Sequence, residues 1–158
     1  MEICTPNSLP EEKIHTMVGL INGAYSRHNW LFPVNRTSYL ELCAELSSYD
    51  FVFLLSLSKH DLLGSALVKV NHDALYFSSA AIALNHQGIG LGDKLLRAIE
   101  TFAREKNLAR ITLVTVSEIG NVEYYRQKGY RVASQEVQPK GKWGSVNSFV
   151  LAEMEKEI

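Results

Sequence analysis

Three glycines recur at alternate positions in Gln87-Gly88-Ile89-Gly90-Leu91-Gly92, directly ahead of the most regular apolar stripe in the chain. Glycine allows backbone conformations that a Cβ forbids and lets N–H groups come close to a ligand. A helix N-terminus adds unpaired N–H donors and a partial positive charge. Together these predict a loop that cradles an anion, most simply a phosphate or pyrophosphate. The alternative is a flexible turn that only leads into a helix. Two familiar phosphate loops do not fit. A Walker-type loop ends in Gly-Lys-Ser/Thr, whereas Gly92 is followed by Asp93 and Lys94. A dinucleotide loop has G-x-G-x-x-G at the opening of a βαβ unit. This one reads G-x-G-x-G after a run of short strands joined by tight turns.

Other residues of chemical interest lie on either side of this loop. Tyr124 and Tyr125 form a doublet ahead of Gly129. A phenol holds a proton at neutral pH and can serve as a general acid. Neighbouring positions on a helix face different directions, so one ring packs and the other faces a cleft. Glu118 follows a β-branched run; it takes a proton, binds a cation, or stands in solvent. Asn121 either caps a short helix or touches a ligand. Asp73 reads as a turn residue. Ser78 and Ser79 lie on a strand rich in small residues, where one could orient a water. Upstream, Tyr25, His28, Trp30 and Phe32, with Tyr39 beyond them, form an aromatic-rich connector. Such a cluster makes an apolar or cation-binding wall, or covers a sheet edge. The basic turn Lys140-Gly141-Lys142-Trp143 is either at a substrate mouth or simply solvated.

The elements that must position these residues can be read from periodicity. Ser8 and Glu11 have the spacing of a capping box, and Ile14, Met17, Val18 and Ile21 continue as a helix to about Ala24. Ser38 and Glu41 repeat the signal for a second, shorter helix. Apolar runs at 51–57, 65–70 and 74–84, with turns at 59–61 and 71–73, read as three antiparallel strands. Leu91, Leu95, Leu96, Ile99, Phe102 and Ala103 make one stripe of a helix that stops near Asn107. The pairs Asp93/Arg97 and Glu100/Arg104 are placed on its wet side. Residues 110–116 form a strand that completes a βαβ unit and so runs parallel to its predecessor. A short helix from Asn121 to Gly129 and strands at 130–137 and 146–154 finish the chain. The order α-α-β-β-β-α-β-α-β-β predicts an α/β fold with a mixed, mainly antiparallel sheet flanked by helices.

Composition narrows the class. The chain has 158 residues, 46% hydrophobic and 21% charged, with a formal net charge of −1. That suits one domain over 1–158. It offers no general electrostatic attraction to nucleic acid or an anionic membrane. Cys4 and Cys43 form no metal-spaced cluster and no C-x-x-C pair, so neither metal nor disulfide is expected. A reducing, cytoplasmic setting follows. No secretory leader or membrane-length apolar run is visible.

The loop, the Tyr/Gly step and the element order together resemble the GCN5-related N-acetyltransferase (GNAT) family. Its signature Q/R-x-x-G-x-G/A is matched by Gln87, Gly90 and Gly92, and its Y-x-x-x-G-F/Y step by Tyr125, Gly129 and Tyr130. The proline usual near the end of the preceding strand is absent, since this chain has Ile82-Ala83-Leu84. The resemblance implies direct transfer of acetyl from acetyl-CoA to an amine within a ternary complex. It assigns cofactor contacts to Ile82, Ala83, Leu84, Gln87, Gly88, Ile89, Gly90, Leu91, Gly92, Asp93, Asn121 and Tyr125. Tyr125 would be the general acid and Glu118 the amine-side carboxylate. Glu118 stands where the family often has asparagine. Tyr25, His28, Trp30 and Phe32 would line the acceptor side. The acceptor would be a small amine or a protein or peptide amine, and a homodimer is compatible with the family. The same fold also serves non-catalytic acyl-CoA sensors.

Overall fold

A computed structural model describes residues 1–58 and 60–158. Four helices, α1 (Glu11–Tyr25), α2 (Tyr39–Leu46), α3 (Leu91–Glu105) and α4 (Asn121–Gln127), flank one sheet. Its strands are β1 (Glu2–Cys4), β2 (Phe51–Ser58), β3 (Asp61–Asn71), β4 (Ala74–Ile82), β5 (Arg110–Val116), β6 (Arg131–Gln138) and β7 (Phe149–Glu157). They lie in the order β1-β2-β3-β4-β5-β7-β6. Only β4 and β5 are parallel, as the βαβ reading requires. The mixed α/β class is the one expected from the sequence.

Several boundaries differ from the periodicity. β1 was not legible: three residues with one half-buried side chain carry no period, and the strand exists because the open edge of β2 pairs with it. Ser8 does not cap α1. Its hydroxyl donates to the Thr5 carbonyl within a 3-10 turn, and Pro10 is the N-cap. Ser38 does cap α2, accepting from the Glu41 N–H at 3.2 Å. Asn107 stops α3 by adopting φ +56°, the left-handed conformation asparagine tolerates. The third strand ends at Ile82, and Ala83–Leu84 turn away into a 3-10 segment.

Two cores lie on opposite faces of the sheet. α1 and α2 bury Ile14, Met17, Ile21 and Leu42 against Val52, Leu54 and Leu67. α3 buries Leu95, Leu96, Ile99 and Phe102 against Phe53, Val68, Leu75 and Ile111. Glu100 departs from the expected wet face: it is 8% exposed. Its carboxylate accepts from Lys156 Nζ at 3.0 Å and from the Tyr130 hydroxyl at 3.3 Å. This pair ties α3 to β7. Lys156→Met would leave the Glu100 charge buried with weaker compensation, so a loss of about 3 kcal/mol is expected by denaturant melting. The double variant Glu100→Gln/Lys156→Met should recover most of it.

Two irregularities shape the centre of the sheet. β4 and β5 pair only through Ala74–Tyr76 and Arg110–Thr112. Beyond that they part, and the β4 edge from Phe77 to Ile82 has no strand beside it on that side. Opposite Ala66, β4 also carries an extra residue: Ser65 faces Ala81 and Leu67 faces Ser78. The bulge is at Ser79, buried and held at φ +49°. A left-handed serine costs about 1 kcal/mol. The split and the bulge coincide at the same stretch of β4.

Candidate active site

Where β4 leaves β5, a cleft of about 550 Å³ opens between the strand, α3, α4 and the end of α1. Its wall includes Tyr25, His28, Ile82, Gln87, Gly88, Gly90, Gly92, Asp93, Asn121 and Tyr125. The structure therefore brings most of the residues expected to hold a cofactor to one place. Ala83, Leu84, Ile89 and Leu91 do not line it. Leu84 and Ile89 are exposed, and the Ala83 N–H is bonded to the Leu63 carbonyl at 2.8 Å.

The glycine loop leaves the start of α3 without a cap from the protein. Gly88 and Gly90 have φ of +80° and +89°, which requires glycine. Gly90 is the N-cap of α3 and supplies no capping side chain. Among the described residues, the backbone N–H groups of Gly88 through Asp93 donate to no protein acceptor. Gly88 to Gly90 are exposed and Leu91 to Asp93 half-buried, so these donors are open to a ligand at the bare start of the helix. The Gln87 side chain is fixed on both sides, its Nε2 donating to the Ile82 carbonyl at 3.0 Å and its Oε1 accepting from Arg27. Arg27 also lines the cleft, so a cation from the 3-10 turn after α1 reaches the glycine loop. Sequence reasoning missed it, because no local pattern relates residues sixty positions apart.

Asp93 in the first turn of α3 does not oppose an anion as an unpaired charge. Its carboxylate accepts from Lys128 Nζ at 2.7 Å and from the Tyr124 hydroxyl at 2.8 Å. Lys128 chiefly, with Tyr124, holds the Asp93 carboxyl below its usual range. A depressed carboxyl stabilises the fold above the unfolded-state value of about 4 and loses that contribution as pH falls through the lowered value. The stability difference between wild type and Asp93→Asn should therefore be present at neutral pH and shrink as pH falls through the lowered Asp93 value, measured as urea midpoints.

The tyrosine doublet divides the way adjacent helix positions must. Tyr124 is committed to Asp93; burial first, then that carboxylate, pushes its pKa well above the ordinary phenol value. Tyr125 makes no hydrogen bond through its hydroxyl among the described residues. Its ring sits among Phe77, Tyr124 and Tyr130, with centroids 6.0, 5.1 and 5.7 Å away. Burial first, then the neighbouring phenols Tyr25 and Tyr124, push its pKa well above the ordinary phenol value. It is a protonated donor, available on the cleft wall.

Other expected residues go elsewhere. Glu118 is not brought to the cleft. Both carboxylate oxygens accept from the Val150 N–H, at 2.9 and 3.1 Å, tying the turn after β5 to β7. Asn121 lines the cleft but does not cap α4; Gly120 is the N-cap, in a left-handed conformation. Of the aromatic connector, Tyr25 and His28 reach the cleft, their rings edge to face at 6.3 Å. Burial, then Arg27, lowers the His28 pKa. Phe32 packs on Phe149 at 5.0 Å beside Leu31 and Val116, covering the sheet. Trp30 is 59% exposed and stands outside the cleft. Tyr39 stacks on His15 instead. Among the described residues no group of His, Cys, Asp and Glu could hold a metal ion, and no helix is long and apolar enough to cross a membrane.

The unpaired edge of β4 and the uncapped start of α3 thus open onto one cleft. A model of the acetyltransferase (GNAT) family matches residues 20–130. The chain belongs to that family. Solved structures share the fold at low identity. The ribosomal-protein-S18-alanine N-acetyltransferase of Escherichia coli is 16% identical, with TM-score 0.77, covering 99% of this chain and 93% of that one. An N-acetyltransferase from Staphylococcus aureus Mu50 is 13% identical, with TM-score 0.74 and coverage of 99% and 97%. A GNAT acetyltransferase from Elizabethkingia anophelis, solved with acetyl-CoA bound, is 16% identical, with TM-score 0.62 and coverage of 81% and 88%.

Proposed function

We propose that this protein is an N-acetyltransferase that moves an acetyl group from acetyl-CoA to an amine by direct attack in a ternary complex. The observation that carries this reading is the row of unsatisfied N–H groups from Gly88 to Asp93 at the mouth of the split between β4 and β5. The residues present fit that cofactor. Gly88 to Asp93 would take the pyrophosphate, with Arg27 as an added cation. The free edge of β4 from Phe77 to Ile82 would pair with the pantetheine amides as another strand would. When bound, the thioester supplies an acetyl group activated for attack by nitrogen.

The chain's own task is then positioning and proton management. Tyr125 holds a proton for the departing sulfur. The desolvation that keeps the proton on Tyr125 also raises the basicity of a thiolate beside it, so donor and acceptor stay matched. Backbone N–H groups along the free β4 edge are available to stabilise developing negative charge on the carbonyl oxygen. Tyr25 and His28 close the wall toward the acceptor. The acceptor is a primary amine on a small molecule or on a protein or peptide. The domain acts as one unit over 1–158 and works in the cytoplasm.

The test is a free-thiol assay with acetyl-CoA and a broad amine panel, run beside calorimetric CoA titration. Amine-dependent thiol release supports the reading. Tight CoA binding with no release across the panel would instead mark the protein as a non-catalytic acyl-CoA-binding module.

A further inference from the structure

On the far side of β4 from α3, the bulge at Ser79 is gripped by side chains that the cofactor site does not use. The Ser79 hydroxyl donates to Glu45 Oε1 at 2.9 Å and accepts from Arg36 Nη2 at 3.2 Å. Arg36 Nη2 lies 3.9 Å from the same Glu45 oxygen. Glu45 Oε2 takes no protein hydrogen bond among the described residues. The Glu45 side chain is 25% exposed and that of Arg36 is 40% exposed, so the pair is reachable from solvent. Nearby, Tyr49 and Ser78 share a hydrogen bond, and the Tyr49 ring stacks on Tyr76 with centroids 6.4 Å apart.

This cluster touches the cleft through Tyr25. The Arg36 guanidinium stands 5.8 Å over the Tyr25 ring. The Tyr25 hydroxyl donates to the Ala80 carbonyl at 3.3 Å, one residue beyond the bulge. Tyr25 itself lines the cleft. A carboxylate with one oxygen anchored and one free therefore stands at the β4 bulge, just behind the Tyr25 that lines the cleft. The expected amine-side carboxylate, Glu118, is held at Val150 and leaves that role open.

We propose that Glu45 receives the acceptor amine, binding it as an ammonium and taking the proton that must leave before nitrogen can attack, with Ser79 and Arg36 as positioning residues. The inference rests on the acetyltransferase reading and names its acceptor as a cationic primary amine. One proton passes from the ammonium nitrogen to a Glu45 oxygen. The freed lone pair forms the C–N bond while the C–S bond breaks. The sulfur keeps the bonding electrons and takes the Tyr125 proton. The second proton released by the nitrogen restores Tyr125, and Glu45 returns its proton to solvent. The bulge explains the strained serine: with Ser79 at φ +49°, its hydroxyl reaches Glu45.

The test compares wild type, Glu45→Gln and Glu45→Asp with acetyl-CoA and primary alkylamines, diamines and dipeptide amides. Glu45→Gln should lower kcat/KM about 100-fold near pH 7, with CoA affinity within twofold of wild type. The deficit should shrink as pH approaches the pKa of the free amine, because the amine then arrives already neutral. The charged and titratable groups facing Glu45 are Arg36, Tyr25, Tyr49 and Tyr76; burial pushes Tyr76 up to about 12 and raises Tyr25 and Tyr49 above the ordinary phenol value. Glu45→Asp should recover part of the loss. A deficit below threefold, or one that is constant with pH, would overturn the assignment while leaving the acetyltransferase intact. Absence of wild-type turnover with every amine, CoA still binding, would overturn both.

Discussion

Gly90→Glu is expected to weaken CoA binding by at least 100-fold, about 2.8 kcal/mol, in a calorimetric titration. Two effects act together. The carboxylate would stand at the N-cap of α3, where the N–H groups of Gly88 to Asp93 have no protein acceptor among the described residues. It would repel a pyrophosphate and also compete for those donors. Hydrogen bonds to a charged group contribute about 1.5–3 kcal/mol each, so the loss of even one or two reaches this size. The substitution also forces a side chain to φ +89°, which costs about 1–2 kcal/mol of folding stability. Gly90→Ala isolates that part. A Cβ there meets no atom within 4 Å, so alanine should lower the melting temperature while keeping CoA affinity within tenfold. Undiminished affinity in the glutamate variant would sink the anion-cradle reading.

Tyr125→Phe is the second large effect. Removing the hydroxyl should lower kcat by about 100- to 1000-fold, within the usual range for a positioned general acid, while CoA affinity stays within threefold. The ring keeps its contacts with Phe77, Tyr124 and Tyr130, and no protein hydrogen bond is lost, so the fold should be unaffected. Tyr124→Phe makes the informative contrast. It breaks the bond to Asp93 and should cost about 1 kcal/mol of stability with a much smaller change in kcat. If the two variants lose the same activity, Tyr125 is a packing residue. Because burial raises the Tyr125 pKa, wild-type kcat should show no loss from its ionisation below pH 10.

Much of the cofactor side was legible because its signals are local. Glycine at positive φ, a bare helix start and a stripe at helical period all lie within twenty residues of one another. The acceptor side was legible only as a neighbourhood. Tyr25 and His28 reach the cleft, but Phe32 turned inward onto Phe149 and Trp30 stayed outside it. An aromatic in a connector has no period to say which way it faces. Glu118 sat at the right place in the chain for chemistry, yet a backbone N–H on β7 claimed both its oxygens. Glu100 does pair with Arg104 at 3.7 Å as its spacing implies, yet it is also buried under Lys156, because what lies over a helix face is decided by strands distant in sequence.

The chain by itself determined the element order after β1, the parallel step from β4 to β5, the glycine-rich entry to α3 and the Tyr125-x-x-x-Gly129 turn. Each depends on spacing within a few residues. Only the tertiary structure decided where β4 and β5 part, which oxygens of Glu45 and Glu118 are occupied, and that Arg27 meets Gln87. Those outcomes depend on which backbone donors and charges are brought side by side, and in this fold the partners are 32 to 60 residues apart in sequence.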